Sequence, residues 1–198
     1  ERLLEFWVKA WDQQQLNVKT LQHVTMIESD GPGFVVRTQN ATYPASTVLL
    51  AIGRRGTPRK LGVPGEDLPK VVYRLIDPEQ YRGLQVLVVG GGDSALEAAA
   101  SIAEIPDSYV TLSYRGDAFT RAKPRNRQRV VDATSAGKLQ VLLSSVVKSV
   151  QPDSVQLLHD KHELTLPNDA IIVNAGGVLP NDFLRTIGIE VQTKYGTV

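Results

Sequence analysis

The sequence contains no cysteine. Disulfides, thiolate metal sites and thiol nucleophiles are therefore all excluded for this chain. Long hydrophobic runs are also missing: the stretch from Val48 to Ile52 is typical of the longest, whereas a membrane-spanning helix needs about 18 apolar residues. The N-terminal residues do not have the pattern of a secretory signal. These absences predict a chain that does not enter a membrane, and they favour the cytoplasm.

A large excess of charge of one sign is missing as well. The formal net charge is +1 over 198 residues, which argues against a protein that coats a polyanion. Apolar residues make up 42% and charged residues 22% of the chain, as in an ordinary globular protein. The length allows one large or two small domains. The first residue is not methionine, from which we expect the chain to be a piece of a longer polypeptide.

The strongest local pattern is an apolar run followed by three glycines and a helix-forming segment. The run covers residues 85–89, and the chain continues as Gly90, Gly91, Gly92, Asp93, Ser94 and Ala95. In such a GxGxxA pattern the first glycine permits a tight turn and the second lets the backbone approach a pyrophosphate. The alanine is small enough for the helix to pack on the strand. The pattern predicts the phosphate-binding loop of a dinucleotide site; a purely structural glycine turn is the alternative.

Three polar side chains follow the glycines at the predicted start of the helix. We expect Asp93 to cap this helix, because a carboxylate beside a pyrophosphate would be repelled. We expect Ser94 to donate a hydrogen bond to phosphate. Glu97 lies one turn further along, and the sequence leaves open whether it faces solvent or reaches toward the nicotinamide end of the ligand.

A basic segment follows the next predicted strand, where NAD-binding proteins place an acidic residue. The residues concerned are Tyr114, Arg115, Arg121 and Lys123. Guanidinium groups bind phosphate through two parallel hydrogen bonds, so the segment favours NADPH over NADH. A solvated helix face at residues 121–129 is the alternative. A nucleic-acid surface is disfavoured, because the net charge is close to zero and no aromatic residues are interleaved.

Hydrophobic spacing and turn residues predict the other elements. Helices are expected over residues 2–14 and 94–104, in a segment that ends near residue 137, and over 181–188. Strands are expected over residues 17–21, 24–27, 34–37, 47–51, 85–89, 109–114, 139–143, 146–150, 154–158, 163–166 and 170–174, with one more after 188. The remaining segments include a crossover at 54–69, irregular chain at 73–81 with a turn or helix start at Asp77, and a basic loop at 115–129.

An internal repeat relates the two ends of the sequence. A shift of 123 residues places Val48–Leu50 on Ile171–Val173, and Gly53 on Gly176. A chance match between two β-meanders is the alternative, but one ungapped offset across several elements favours duplication. The first-copy counterpart of Gly90 would precede residue 1. We therefore expect a second glycine-rich loop ahead of this chain.

No acid, base or nucleophile for catalysis stands out, and we predict no catalytic residue and no metal site. His159 and His162 lie at the tip of a predicted hairpin, without the ligands that a metal site would need. No tyrosine is followed four residues later by the lysine that a short-chain dehydrogenase requires. Hydride transfer between a nicotinamide and a flavin needs neither acid nor base, since the cofactors carry the chemistry.

Several stretches together resemble the thioredoxin-reductase-like flavoproteins, within the pyridine nucleotide oxidoreductases that have two dinucleotide-binding domains. Residues Val88–Glu97 resemble the NADPH loop of that family, and Tyr114–Ala122 its His-Arg-Arg-x-x-Phe-Arg-Ala segment, which holds the 2′-phosphate. Ala51–Pro58 is similar to the segment where the chain leaves the FAD domain, and Asn174–Asn181 to the one where it returns. The resemblance covers nearly the whole chain.

The resemblance implies an α/β fold: a Rossmann-like dinucleotide-binding domain with a parallel sheet, helices and a β-meander, flanked by partial FAD-domain segments. We expect the end of the first FAD segment at 1–58, the NADPH domain at 59–182 and the returning FAD segment at 183–198. Gly53 and Gly176, in the two crossing segments, join the expected cofactor-binding residues. The intact protein would pass hydride from NADPH to FAD and electrons to an unknown acceptor, such as a ferredoxin-like domain or protein. A homodimer is left open.

The chain also departs from the family pattern. Gly116 stands where the family has its second arginine, and Arg121 is displaced by one position. The Cys-x-x-Cys of thioredoxin reductases is absent from residues 72–85, which excludes reduction through that dithiol and favours a dithiol-free branch such as the ferredoxin–NADP reductases of this type. We expect the chain alone to bind NADPH weakly, to hold no FAD and to be inactive. A flavin-free dehydrogenase and a non-catalytic nucleotide-sensing module are the alternatives.

Overall fold

The structure is a computed structural model that describes residues 2–53 and 57–192. The elements in chain order are α1 Arg2–Gln14, β1 Val24–Asp30, β2 Gly33–Thr38, β3 Thr42–Ala45, β4 Val71–Val72, a 3-10 helix Pro78–Tyr81, β5 Gln85–Val89, α2 Asp93–Ala103, β6 Tyr109–Ser113, α3 Pro124–Ser135, β7 Leu139–Leu142, β8 Ser145–Val150, β9 Ser154–His159, β10 His162–Pro167, β11 Ala170–Val173 and α4 Asn181–Thr186. The contacts divide the chain into two compact units. One holds the described residues up to Ile52 and those from Asn181 onward, and the other runs from Gly53 to Pro180.

A five-stranded parallel sheet forms the centre of the second unit, with the strand order β4-β11-β5-β6-β7. The helices α2 and α3 lie against one side of it, where Val86 and Val88 join the buried face of α2. The antiparallel meander β8-β9-β10 lies against the other side, where Leu87 and Ile171 pack with Leu157 of β9. The strands are covered on both faces, which explains their nearly continuous apolar sequences. The predicted α/β fold is confirmed.

Most predicted elements of the second unit are confirmed, but β4 was not predicted and the end of the basic loop was placed wrongly. The expected basic loop at 115–129 ends at Lys123, because Pro124 begins α3. Proline suits the first turn of a helix, since its ring presets φ and its missing N–H would have no intrahelical acceptor there. The predicted turn or helix start at Asp77 is a 3-10 helix capped by the Asp77 carboxylate.

The first unit contains α1, the three-stranded meander β1–β3 and the short helix α4. The predicted helix over 2–14 and the strands near 24–27 and 34–37 are confirmed, and β3 was missed by the sequence patterns. The meander has the order β1-β2-β3 with antiparallel pairing. Among the described residues of this unit, Ile27 is the only buried hydrophobic residue. The unit therefore has very little core of its own.

Two predicted strands of the first unit were wrong: residues 17–21 and 47–51 have no regular secondary structure. Their counterparts in the repeat are β7 and β11, which gain their ladder hydrogen bonds from β6 and β5. Within the described part of the first unit, no parallel strand is available to pair with either segment. A β-strand needs such a partner, because its backbone groups are satisfied only between strands. The strand expected after residue 188 does not form over 189–192; residues 193–198, like 54–56 of the crossover, lie outside the described residues.

Candidate functional site

A cavity of about 620 Å³ opens at the carboxyl ends of β5, β6 and β11 in the second unit. From β5 the chain moves to β6 on one side and later returns as β11 on the other. The cavity thus lies at the topological switch point of the sheet, where ligands bind in open α/β folds. It is lined by residues 58–61, Tyr73, 89–94, 113–115, Arg121, 145–147 and 173–177.

The glycine-rich turn forms the floor of this cavity. Gly90 has a φ of +145°, a conformation that residues with a side chain rarely adopt. A Cβ at this position would overlap the carbonyl oxygen of Asn174 and lie 3.0 Å from the Cβ of Ala95. Ala95 itself is fully buried. The geometry accords with the tight turn and the close helix packing that the GxGxxA pattern predicts, and the binding role of these residues stays a prediction.

The N-terminus of α2 lies at the cavity, which Gly91, Gly92 and Asp93 line. Gly92 is the N-cap residue, and no side chain caps the helix by a hydrogen bond. A Cβ on Gly92 would meet no atom within 4 Å. Within the part of the chain that the structure describes, the backbone N–H groups of Gly91, Gly92 and Asp93 donate to no acceptor. Ser94 also lines the cavity. Free amides at a helix N-terminus are suited to an anionic group such as pyrophosphate.

The predicted role of Asp93 as the cap of its own helix was wrong, since α2 has no side-chain cap. The Asp93 carboxylate instead accepts hydrogen bonds from the Lys123 backbone N–H at 2.8 Å and from the Asn126 side-chain amide at 2.7 Å. These two bonds hold the pKa of Asp93 below its ordinary value, and the bond from the Lys123 N–H has the larger effect. Asp93 is the first residue of α2, but its carboxylate bonds to residues at the start of the neighbouring helix α3.

Glu97 is exposed and is not among the residues that line the cavity. Its carboxylate accepts a hydrogen bond from the Asn126 amide at 2.8 Å. Of the two orientations that the sequence left open, the structure thus places it on the solvent side, toward α3. Asn126, which is only 5% exposed, was missed by the sequence analysis. The available signal was Pro124, because a helix beginning there places Asn126 in its first turn.

The Tyr114 ring lies directly on the glycine-rich turn. A Cβ on Gly91 would overlap the ring, and one on Gly116 would lie 2.7 Å from it. The Phe119 ring stacks on the Tyr114 ring, with centroids 5.4 Å apart and planes inclined by 23°. This packing gives a physical reason for glycine at position 116, where the resembling family has an arginine.

Two of the three predicted phosphate-binding cations reach the cavity. Arg115 and Arg121 line it and are exposed. Neither forms an ion pair or a side-chain hydrogen bond with any residue that the structure describes. The Lys123 side chain is exposed and does not line the cavity. Unpaired guanidinium groups at the cavity wall are available to an anionic ligand.

The segments that cross between the two units pair with each other beside the cavity. Pro58 forms an antiparallel bridge with Gly177, and the Arg59 N–H donates to the Gly176 carbonyl at 3.1 Å. Gly176 has a φ of +87° and lines the cavity. Gly53 also has a positive φ, of +67°, but is not among the lining residues. The resemblance identified both segments as the crossings, but their pairing was not predicted from the sequence.

A buried carboxylate that was not predicted from the sequence, Glu66, organises the crossover. Glu66 is 6% exposed and accepts hydrogen bonds from the backbone N–H groups of Leu61 and Gly62, at 2.5 and 2.7 Å, and from the Tyr73 hydroxyl at 2.8 Å. Burial by itself raises the pKa of Glu66, but these hydrogen bonds outweigh it and leave the pKa below 4.5. Burial and the Glu66 charge raise the pKa of Tyr73 to about 12. The expected crossover is therefore packed, and it holds Leu61 and Tyr73 at the cavity wall.

The described residues contain neither a metal-binding cluster nor a membrane-spanning helix. Over 2–53 and 57–192, no cluster of histidine, aspartate and glutamate side chains could hold a metal ion. His159 and His162 lie at the β9–β10 hairpin, as predicted. No helix within these ranges is long and apolar enough to cross a lipid bilayer.

The chain is similar to several known oxidoreductases. Residues 1–197 match the family model described as pyridine nucleotide-disulphide oxidoreductase. The chain is 31% identical to the ferredoxin–NADP reductase of Ignicoccus hospitalis, over 94% of its own length and 63% of the relative's. It is 29% identical to the bacilliredoxin reductase Bdr of Bacillus subtilis, over 82% and 51% of the respective lengths. The Lactococcus lactis thioredoxin reductase has a similar structure, with a TM-score of 0.72 and 26% identity over 84% of this chain and 56% of that one.

The chain thus spans between about half and two thirds of each of these proteins. The family match extends over both units of the structure, and the relatives are named as oxidoreductases. The match agrees with the glycine-rich turn at the switch point and with the parallel sheet that supports it. The chain belongs to the thioredoxin-reductase-like branch of the FAD-dependent pyridine nucleotide-disulphide oxidoreductases, a family of flavoprotein enzymes that use NADPH.

Proposed function

We propose that this chain supplies the NADPH-binding domain, together with adjoining pieces of the FAD domain, of an FAD-dependent oxidoreductase. The observation that carries the proposal is the cavity at the switch point, where the free N–H groups of Gly91–Asp93 and the unpaired Arg115 and Arg121 meet. The amides suit a pyrophosphate and the guanidinium groups suit a 2′-phosphate. Ser94 lines the same turn and is suited to donate to the pyrophosphate as well.

The cofactors would supply the redox chemistry: a hydride passes from nicotinamide to flavin. The role of this chain's residues is to bind and orient the nucleotide. Gly90 permits the tight turn, and Gly92, where a Cβ would meet no atom within 4 Å, lets the backbone approach the ligand. The Glu66 hydrogen bonds fix Leu61 and Tyr73 at the cavity wall. No residue of the cavity is assigned as an acid or a base.

The first unit is suited to complete an FAD domain together with residues that precede the chain. Its helix α1 exposes Leu3, Leu4, Trp7 and Trp11, although large apolar side chains on a helix are normally covered. Residues 17–21 and 47–51 have the sequences of strands but lack partner strands among the described residues. Both features agree with a front half that carries a second glycine-rich loop, as the repeat predicts. The chain by itself is then expected to hold no FAD and to be inactive.

The electron acceptor that we propose is a ferredoxin-type carrier. A relative that is 31% identical is named a ferredoxin–NADP reductase, and the absence of cysteine leaves this chain no dithiol of its own. A thiol-type acceptor, as the name of the bacilliredoxin reductase indicates for that relative, is the second candidate. The NADPH-dependent reduction of ferredoxin and of bacilliredoxin by the intact protein would decide between them.

Calorimetric titration of the purified chain with NADP⁺ and NAD⁺ tests nucleotide binding. We expect NADP⁺ to bind at least tenfold more tightly than NAD⁺, because a bidentate contact to an ionised group contributes about 1.5–3 kcal/mol. Arg115→Ala combined with Arg121→Ala should remove this preference. Arg127→Ala is the matched control, since Arg127 is exposed on α3 and does not line the cavity. Equal affinities for both nucleotides in the wild type would contradict the phosphate assignment.

A further inference from the structure

Three side chains connect the helix after the glycine-rich turn with the helix after the basic loop. The Asn126 amide of α3 donates to the Asp93 carboxylate at 2.7 Å and to the Glu97 carboxylate at 2.8 Å, both on α2. An amide NH₂ group has two hydrogens, so one Asn126 side chain satisfies both acceptors. Asn126 itself is buried, whereas Asp93 is half-buried and Glu97 is exposed.

The same cluster holds the end of the basic loop, residues 115–123. The Lys123 N–H donates to Asp93 at 2.8 Å, and Lys123 directly precedes α3. At the other end of the loop the Tyr114 ring covers Gly91. Both ends of the segment that carries Arg115 and Arg121 are therefore tied to the glycine-rich turn. The Arg115 and Arg121 side chains are long and exposed and have no partner among the described residues. Their positions therefore depend on this anchoring of the loop backbone.

The charge of Asp93 makes a direct role in nucleotide binding unfavourable. Asp93 lines the cavity, and a carboxylate repels a nearby pyrophosphate. Its oxygen is, however, turned to the Lys123 N–H and the Asn126 amide, which leaves positioning as the function that its contacts support.

We propose that Asp93, Asn126 and Glu97 form an amide clamp that positions the basic loop against the glycine-rich turn, and that the clamp thereby contributes to selection of a dinucleotide with a 2′-phosphate. The three are positioning residues: they act through Arg115 and Arg121. The selectivity part of this inference rests on the proposed NADPH binding, whereas the ordering of the loop does not.

Asn126→Ala tests the clamp in the purified chain, with Gln128→Ala as the matched control. Gln128 is exposed on the same helix, and its side-chain amide bonds only to Asp132 among the residues that the structure describes. We expect Asn126→Ala to weaken NADP⁺ binding by roughly tenfold, as the loss of a hydrogen bond to charged groups allows, and to change NAD⁺ binding less than about twofold. Gln128→Ala should change neither. Equal weakening for both nucleotides would overturn the selectivity role.

Two further variants separate positioning from charge. Asp93→Asn keeps an acceptor oxygen and should retain most of the NADP⁺ preference, whereas Asp93→Ala should lose it. If Asp93 acts by repulsion alone, both substitutions will tighten both nucleotides equally, and the clamp is overturned. In a background of Arg115→Ala and Arg121→Ala, Asn126→Ala should have no further effect on NADP⁺; an undiminished effect would contradict action through these arginines.

Amide hydrogen exchange of the nucleotide-free chain provides a readout that does not depend on binding. Asn126→Ala should accelerate exchange of residues 115–123 and leave the β8–β10 meander unchanged as the internal reference for correct folding. Unchanged exchange in the loop would overturn the clamp. A wild-type chain that binds neither nucleotide would overturn the proposed function, while faster loop exchange in the variant would still support the clamp.

Discussion

The two copies of the internal repeat have similar elements but very different surroundings. Each consists of a helix followed by an antiparallel three-stranded meander: α1 with β1–β3, and α3 with β8–β10. In the second copy α3 contacts α2, and β9 is buried through Val155 and Leu157. In the first copy the described residues bury only one hydrophobic side chain, Ile27. The helix and the meander form in both copies, because their hydrogen bonds are local.

The strands that need distant partners differ between the copies. Residues 139–142 and 170–173 are strands of the parallel sheet, whereas their counterparts at 16–19 and 47–50 are irregular. The sequences are similar, so local propensity does not explain the difference. What differs is the presence of β5 and β6, which supply the ladder in the second copy. Whether these segments become parallel strands therefore depends more on the presence of partner strands than on their own residues.

The largest expected effect comes from separating the two units. A chain of residues 53–180 should unfold cooperatively and bind NADP⁺ with the affinity of the full chain, because the core and the cavity both lie within it. A peptide of residues 1–52 should show no cooperative transition, since a three-stranded meander without a covered hydrophobic face is marginal in water. Thermal unfolding followed by circular dichroism measures both. A cooperative transition in the 1–52 peptide would contradict the conclusion that the first copy has too little core to fold by itself.

The next effect is measured at a matched pair of the repeat, Leu49 and Ile172. Ile172 lies in β11 and is fully buried, whereas Leu49 is 91% exposed. Ile172→Ala should lower the free energy of unfolding by about 2–5 kcal/mol through lost burial and a cavity. Leu49→Ala should change it by less than about 0.5 kcal/mol. Urea denaturation of the two variants provides the measurement, and similar losses would show that the first copy is packed after all.

A smaller effect is expected from Glu66, a buried carboxylate that has no equivalent among the described residues of the first unit. Glu66→Gln should cost about 1–3 kcal/mol at neutral pH, because the carboxylate accepts from three donors. The pKa of Glu66 in the folded state lies below 4.5, its ordinary value. Its contribution is therefore complete above about pH 4.5 and is lost as the pH falls through the lower, folded-state pKa.

This pH dependence can be checked by measuring the unfolding free energies of the wild type and Glu66→Gln from neutral pH down to the acid limit of the native state. The difference between the two proteins should be constant at neutral pH and shrink below about pH 4.5. Tyr73→Phe is the companion variant, since it removes one donor and leaves the two backbone donors in place. A difference that grows on acidification would contradict the assignment.

Most elements could be predicted from the sequence because their signals are local. The alternation of apolar residues in β8–β10 and the glycines after β5 are such signals, and the repeat offset itself was visible. The start of α3 could have been predicted from Pro124 but was placed too late. The network of Asp93, Asn126 and Glu97 had no local signal, since Asn126 lies 33 residues from Asp93 and 29 from Glu97. These residues meet only when α2 and α3 pack.

The glycine-rich turn, the basic residues after it, the absence of a dithiol and the family could all be predicted from the amino-acid sequence alone. These follow from residue type and short spacing, which are independent of distant parts of the chain. Only the tertiary structure decided which strands form, which arginines line the cavity and which helix Asp93 serves. Each of those depends on groups far apart in sequence, because ladder hydrogen bonds, burial and side-chain contacts exist only once the elements have packed.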